Sequence, residues 1–101
     1  MKKILSILEA TKLDNRVRLG IMSILVVNDW VEFKLLKEML ELSDGNLASH
    51  LKVLEKEEYI EIKKQFVGRK PQTTYKVTPS GQKAFEDHLN ALEELIKLKN
   101  G

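Results

Sequence analysis

Lys63, Lys64, Arg69, Lys70, Lys76 and Lys83 fall in a stretch, residues 62–85, that contains no Asp or Glu. The whole chain has 17 Lys and Arg against 15 Asp and Glu, a formal net charge of +2. That small total hides a segment whose cations have no counter-charge along the sequence. Merely solvated surfaces intersperse both signs, so the chemistry this segment suits is attraction of a polyanion, phosphate above all. Gly68-Arg69-Lys70-Pro71 consists of turn-forming residues, which places the guanidinium of Arg69 at a tip.

A second group of polar residues, Gly45, Asn46, Ser49, His50 and Lys52, follows Ser43 at helical spacing. Other chemistries find few residues to carry them. The chain has no cysteine, which removes disulfides, thiolate metal sites and thiol nucleophiles. Its two histidines, His50 and His88, are distant in sequence, and no Gly-rich loop joins a strand to a helix. No enzymatic activity and no cofactor are therefore expected. His88 with Glu86 or Asp87 across two subunits has ligand-type side chains, but such carboxylates read better as a solvated helix face, so no metal is assigned. No apolar run reaches the roughly 18 residues that span a bilayer. The apolar residues 4–8 after Met1-Lys2-Lys3 are cut short by Glu9 and Lys12, and no small-residue cleavage site follows. The expectation is a cytoplasmic protein without a membrane partner.

The 101 residues suit a single domain, residues 1–101, mainly α with a small β-hairpin. A short apolar helix is expected over residues 2–10. Asp14 is placed as N-cap of a second helix from Asn15 to about Val27, with Val17, Ile21, Ile24 and Leu25 on its inner face. Trp30-Val31 reads as a minimal strand. A helix pair over about residues 33–57 follows, its first member carrying Phe33, Leu36 and Leu40 on one face. Ser43 suits the N-cap of the second member, Leu42 and Leu47 fit a hydrophobic staple, and Asp44 complements the helix dipole. Leu47, Leu51 and Leu54 point inward. Residues 59–78 alternate as a hairpin around the basic turn, and Thr78-Pro79 opens a final helix to about residue 99, with Pro79 at its first position.

Three ordered segments carry a family likeness: Arg18-Leu19-Gly20-Ile21-Met22, Leu42-Ser43-Asp44-Gly45-Asn46-Leu47-Ala48-Ser49-His50-Leu51-Lys52-Val53-Leu54-Glu55, and Phe66-Val67-Gly68-Arg69-Lys70-Pro71-Gln72-Thr73-Thr74-Tyr75-Lys76-Val77-Thr78. With residues 79–85 they make the chain, over about residues 14–96, resemble short MarR-like winged-helix transcriptional regulators. The middle is also similar to ArsR-type repressors. Two departures stand out. Glu58 occupies the place where a glycine usually ends the recognition helix in a left-handed conformation, at a cost of about 1 kcal/mol. The Cys pair of many ArsR-type metal sensors is absent, so metal sensing is not implied.

The resemblance implies a winged helix-turn-helix with extra terminal helices for dimerisation. The helix after Ser43 would enter the major groove of double-stranded DNA, with Gly45, Asn46, Ser49 and His50 at base edges and Lys52 at a phosphate. Arg69 would enter the minor groove, with Lys63, Lys64 and Lys70 on phosphates. Each has a structural alternative: Asn46 as a first-turn residue, Gly45 as a helix-start residue, His50 as a packing histidine bonded to the wing or a carbonyl. Ile4, Leu5 and Leu8, with Leu89, Leu92, Leu95 and Ile96, form apolar stripes beyond what one core needs and are assigned to a homodimer interface. The function implied is a sequence-specific regulator, a repressor acting as a homodimer on a pseudo-palindromic operator. The rival is a winged-helix module for protein–protein contact without DNA. A small-molecule or protein effector acting through the dimer interface is left unidentified.

Overall fold

The structure, a computed structural model, describes residues 2–100. In chain order the elements are α1 (Lys2–Thr11), α2 (Arg16–Leu25), β1 (Val31–Glu32), α3 (Phe33–Leu40), α4 (Asp44–Lys56), β2 (Ile60–Val67), β3 (Lys70–Val77) and α5 (Pro79–Asn100). The fold is mainly helical α+β. The three strands form one antiparallel sheet in the order β1-β3-β2, with Val31 opposite Tyr75 and Ile60 opposite Val77.

Helical periodicity accounts for the core. Ile21, Met22 and Leu25 of α2, Leu36 of α3, and Leu47, Leu51 and Leu54 of α4 are all buried, at the i, i+3, i+4 and i+7 spacings that make one helix face apolar. Val31, Ile60 and Tyr75 close the cluster from the sheet. The strands alternate accordingly: Ile60 and Ile62 turn toward the helices, whereas Glu61 and Lys63 turn away.

The cap of α2 differs from expectation. Asn15, not Asp14, holds it, its Oδ1 accepting from the amides of Val17 at 3.0 Å and Arg18 at 3.1 Å. Either residue type can cap; the fully buried Leu13 and Ile21 pin the chain so that α2 begins at Arg16. The helix also stops at Leu25 instead of Val27. Asn28 donates from its side chain to the Ile24 carbonyl at 2.8 Å and from its backbone to Leu25, using carbonyls that a longer helix would occupy. The wing turn is tighter than expected. Only Gly68 and Arg69 form it, Gly68 at φ +65°, while Lys70 and Pro71 already belong to β3. A two-residue hairpin matches the twist of its strands when the first central residue has positive φ, which glycine supplies.

Glu58 does adopt the left-handed conformation, at φ 62°. So does Glu41 at the end of α3, at φ 52°. In both, the following residue donates back five positions, Tyr59 to Leu54 and Leu42 to Lys37, and the left-handed residue donates three positions back, to Glu55 or Glu38. These are Schellman closures, completed by packing Tyr59 and Leu42 against the core. The apolar contact offsets the strain of a side chain at positive φ.

The 22-residue α5, about 33 Å long, extends past the main core. Its second half packs on α1 instead, burying Ile4 and Ala91. The chain is correspondingly elongated, with a radius of gyration of 15.1 Å against about 13 Å for a compact domain of this length.

Candidate nucleic-acid interface

The interface is built on α4. Ser43 Oγ accepts from the amide of Asn46 at 3.2 Å, and Asp44 in the first turn pairs with Lys37 at 2.8 Å. With Leu47, Leu51 and Leu54 held inside, the helix turns Gly45, Asn46, Ser49 and Lys52 into solvent. Gly45 has nothing within 4 Å of where a Cβ would stand, so the chain itself does not require glycine there. Ala48, between these residues, is exposed too and was not singled out from sequence. A methyl group at this place suits contact with a thymine methyl.

His50 is half-buried and not a free reader. Its Nδ1 lies 3.2 Å from Nη1 of Arg18, whose Nε donates to the Lys12 carbonyl at 2.9 Å. Arginine can only donate. Nδ1 must therefore accept, and the ring is the neutral Nε2–H tautomer. Arg18 thus ties the α1–α2 joint to α4 and sets the proton position on an α4 side chain. No sequence signal marks this pair, whose members are 32 residues apart.

His88 is the opposite case. Thr11 donates its one hydroxyl proton to Leu8 O at 2.9 Å, so at 2.9 Å from His88 Nδ1 its Oγ1 accepts, and His88 carries its proton on Nδ1. This bond fastens α1 to α5. Burial, aided by Arg18, holds His50 below the ordinary value of 6.5. Burial does the same to His88, outweighing the opposite pull of Asp14. Both rings favour the neutral form when folded, so just below the ordinary value the unfolded chain binds more protons. Stability is then complete above about pH 6.5 and declines as pH falls through the folded-state values. The urea midpoint is expected to drop between pH 7.5 and 5.5, with a weaker pH dependence in His88→Gln. A midpoint level across that range in the parent protein contradicts the assignment.

The hairpin sorts its cations by face. Lys63 Nζ sits 4.5 Å from the centroid of the Trp30 ring, on the side away from α4. Lys76 lies 5.8 Å from the same ring and pairs with Asp29 at 3.3 Å, and Lys83 pairs with Asp87 at 2.9 Å. The acid-free stretch in sequence is therefore not acid-free in space. Acids from the β1 approach and from α5 neutralise two of its six cations, and Trp30 engages Lys63. Lys64 is different: with Lys52, Ala48, Glu55, Ile62 and Tyr75 it lines a groove of about 550 Å³ between α4 and the wing. Arg69 and Lys70 are exposed at the tip. The structure thus brings Lys52 and Lys64 together and leaves Arg69 at the tip beyond them, while Lys70, opposite Val67, shares the strand face of Lys63.

Of the residues assigned to a subunit interface, Ile4 is only 6% exposed because it packs on α5 within the chain, and Leu8, Leu92 and Leu95 are half-buried. Leu5, Leu89 and Ile96 are exposed, as is Leu98. Among the described residues no cluster of His, Asp and Glu could hold a metal, and no helix is long and apolar enough to cross a membrane.

Residues 17–96 match the family described as the winged helix DNA-binding domain. An uncharacterized protein of Methanocaldococcus jannaschii is 38% identical over 81 residues, 80% of this chain and 88% of that protein. Among solved structures, a transcriptional regulator homologue from Pyrococcus horikoshii OT3 superposes with a TM-score of 0.87 at 32% identity, covering 96% of each chain. A MarR family regulator from Silicibacter pomeroyi shares the fold at 14% identity, with a TM-score of 0.66 over 93% of this chain and 67% of that one. With its helix pair, its hairpin and its outward polar helix face in the matched segment, the chain belongs to the winged helix DNA-binding domain family.

Proposed function

We propose that the protein is a sequence-specific double-stranded DNA-binding transcriptional regulator, a repressor acting as a homodimer on a pseudo-palindromic operator. The observation that carries the DNA reading is the groove between α4 and the wing. Lys52 and Lys64 flank it, so a sugar-phosphate strand can run through with α4 in the major groove beside it and Arg69 in the adjoining minor groove. Gly45, Asn46, Ala48 and Ser49 then face base edges. The Pyrococcus horikoshii homologue, described as a transcriptional regulator, supports the regulatory reading. Binding to duplex DNA is expected to fall linearly in log–log form with salt, and Arg69→Ala to weaken it by about 1–2 kcal/mol. Equal affinity of variant and parent removes Arg69 from the contact.

Exposed Phe66 and Val67 on the wing favour a rival use, a wing that touches protein. Absence of duplex binding even at low salt decides for it.

The dimer reading rests on α5 and α1. They leave the main core as an arm and carry Leu5, Leu89, Ile96 and Leu98 exposed, and Leu98 with Ile4, Ile7 and Ala91 lines an open groove of about 750 Å³. Apolar side chains repeated at such positions are covered most economically by a two-fold copy. Two recognition helices would then lie about 34 Å apart, one turn of DNA. Light scattering is expected to give twice the 11.6 kDa chain mass, and Leu89→Glu with Ile96→Glu to give the monomer without loss of helicity. A monomeric parent protein at micromolar concentration removes the dimer.

A further inference from the structure

We infer that Phe66, backed by Pro71, is an apolar wedge with which the wing enters the minor groove and unstacks a base step. The inference rests on the DNA-binding reading above. Phe66 is 75% exposed, although it lies within a regular strand. Strand alternation places it on the same side as Ile60, Ile62 and Lys64, and Ile62 and Lys64 line the groove beside α4. Phe66 therefore stands two positions farther out along the face on which a phosphate strand would run.

Its support is built to be stiff. Val67 and Lys70 close the two-residue turn, so Phe66 and Pro71 form the next pair. In such a ladder that pair is not hydrogen-bonded, and its side chains approach more closely than those of the bonded pairs. The missing N–H of proline then costs the ladder nothing, while the fixed ring gives the phenyl group a rigid backing.

The surroundings say what covers it. Lys64, Arg69 and Lys70 are its charged neighbours on the hairpin, while the acids of the adjoining grooves, Glu55 and Glu32, come from α4 and β1 and not from the wing. Like charges oppose a second wing at this place. A polyanion with an apolar interior fits, and the minor groove of a duplex, with stacked bases between phosphates, is that surface. Apolar wedges are accepted most readily at flexible pyrimidine–purine steps, so Phe66 would add sequence preference through deformability, without hydrogen bonds to bases.

The test uses the full chain and duplexes, taken from selection on a random pool, in which 2-aminopurine replaces successive adenines. The parent protein is expected to raise fluorescence at one step per half-site. Phe66→Ala is expected to abolish that rise and weaken binding about tenfold, the scale of one lost aromatic–base stack. The salt slope should stay unchanged because no phosphate contact is lost. Phe66→Leu should keep most of both signals. Steep salt-dependent binding with no fluorescence rise and no effect of Phe66→Ala overturns the wedge and leaves the DNA reading standing. A parent protein that binds no duplex overturns both.

Discussion

Replacing Lys64, Arg69 and Lys70 together by alanine is expected to lower duplex affinity by roughly two orders of magnitude or more. It should also reduce the log–log salt slope by about 2.7 per protomer, or about 5.4 for a dimer on two half-sites. The three side chains are exposed, and none takes part in the ion pairs found among the described residues. Their removal should leave the unfolding free energy from urea titration within about 0.5 kcal/mol of the parent protein. The internal control is Lys63→Ala. Lys63 carries the same charge in the same strand, yet it lies over Trp30 on the far face. Its loss should change the slope by far less than one phosphate contact. A triple variant with an unchanged slope means that the wing does not touch phosphates. A slope that falls as much for Lys63→Ala means that general charge, and not Lys64 with the tip of the wing, attracts the duplex.

Gly81→Ala is expected to destabilise the protein by about 3 kcal/mol, against the sign of helix propensity. Gly81 lies in the first turn of α5, where alanine ordinarily stabilises a helix by about 1 kcal/mol. Here an added Cβ would stand 2.2 Å from the Tyr59 carbonyl oxygen and 2.9 Å from its carbon. Those atoms cannot yield. Tyr59 O accepts from the Thr78 amide at 3.0 Å, and Tyr59 N donates to Leu54 at 3.0 Å. Beside it, Glu58 O accepts from Thr78 Oγ1 at 2.7 Å and Ser80 Oγ at 2.9 Å. The junction joins the end of α4, the root of the wing and the start of α5, so displacing it would also disturb the angle between α4 and α5. Gly45→Ala is the matched contrast. With open space around its Cβ position, it should raise stability by up to about 1 kcal/mol, and weaken DNA binding where the backbone approaches a base. Denaturant titration of the two variants gives opposite signs if the close approach at Tyr59 is real. Equal, small effects show that the α5 start can shift.

Much of this architecture was legible along the chain because it depends on neighbours in sequence. The Ser43 cap, the inward Leu47, Leu51 and Leu54, Pro79 at the start of α5, and the hairpin around Gly68 all follow from local hydrogen bonding, helical period or backbone freedom. Such forces act within a few residues, so residue types in order carry them. The exposed face of α4 followed by subtraction, since three buried leucines leave only one side for Gly45, Asn46, Ser49 and Lys52.

Contacts between distant segments were not legible, and they assign the roles within the site. Arg18 holding His50, Trp30 and Asp29 drawing Lys63 and Lys76 away from the groove, and Tyr59 demanding glycine at 81 each join elements whose separation is set by packing. The choice of Asn15 over Asp14 as cap belongs with them, for the buried Leu13 and Ile21 select between two residues equally able to do it. The six cations of one acid-free segment are thus sorted by strand alternation and the position of neighbouring elements. Order along the chain specifies which groups exist and which element carries them. Side-chain direction and the nearest charge, on which recognition depends, come from the way helices and sheet pack around one core.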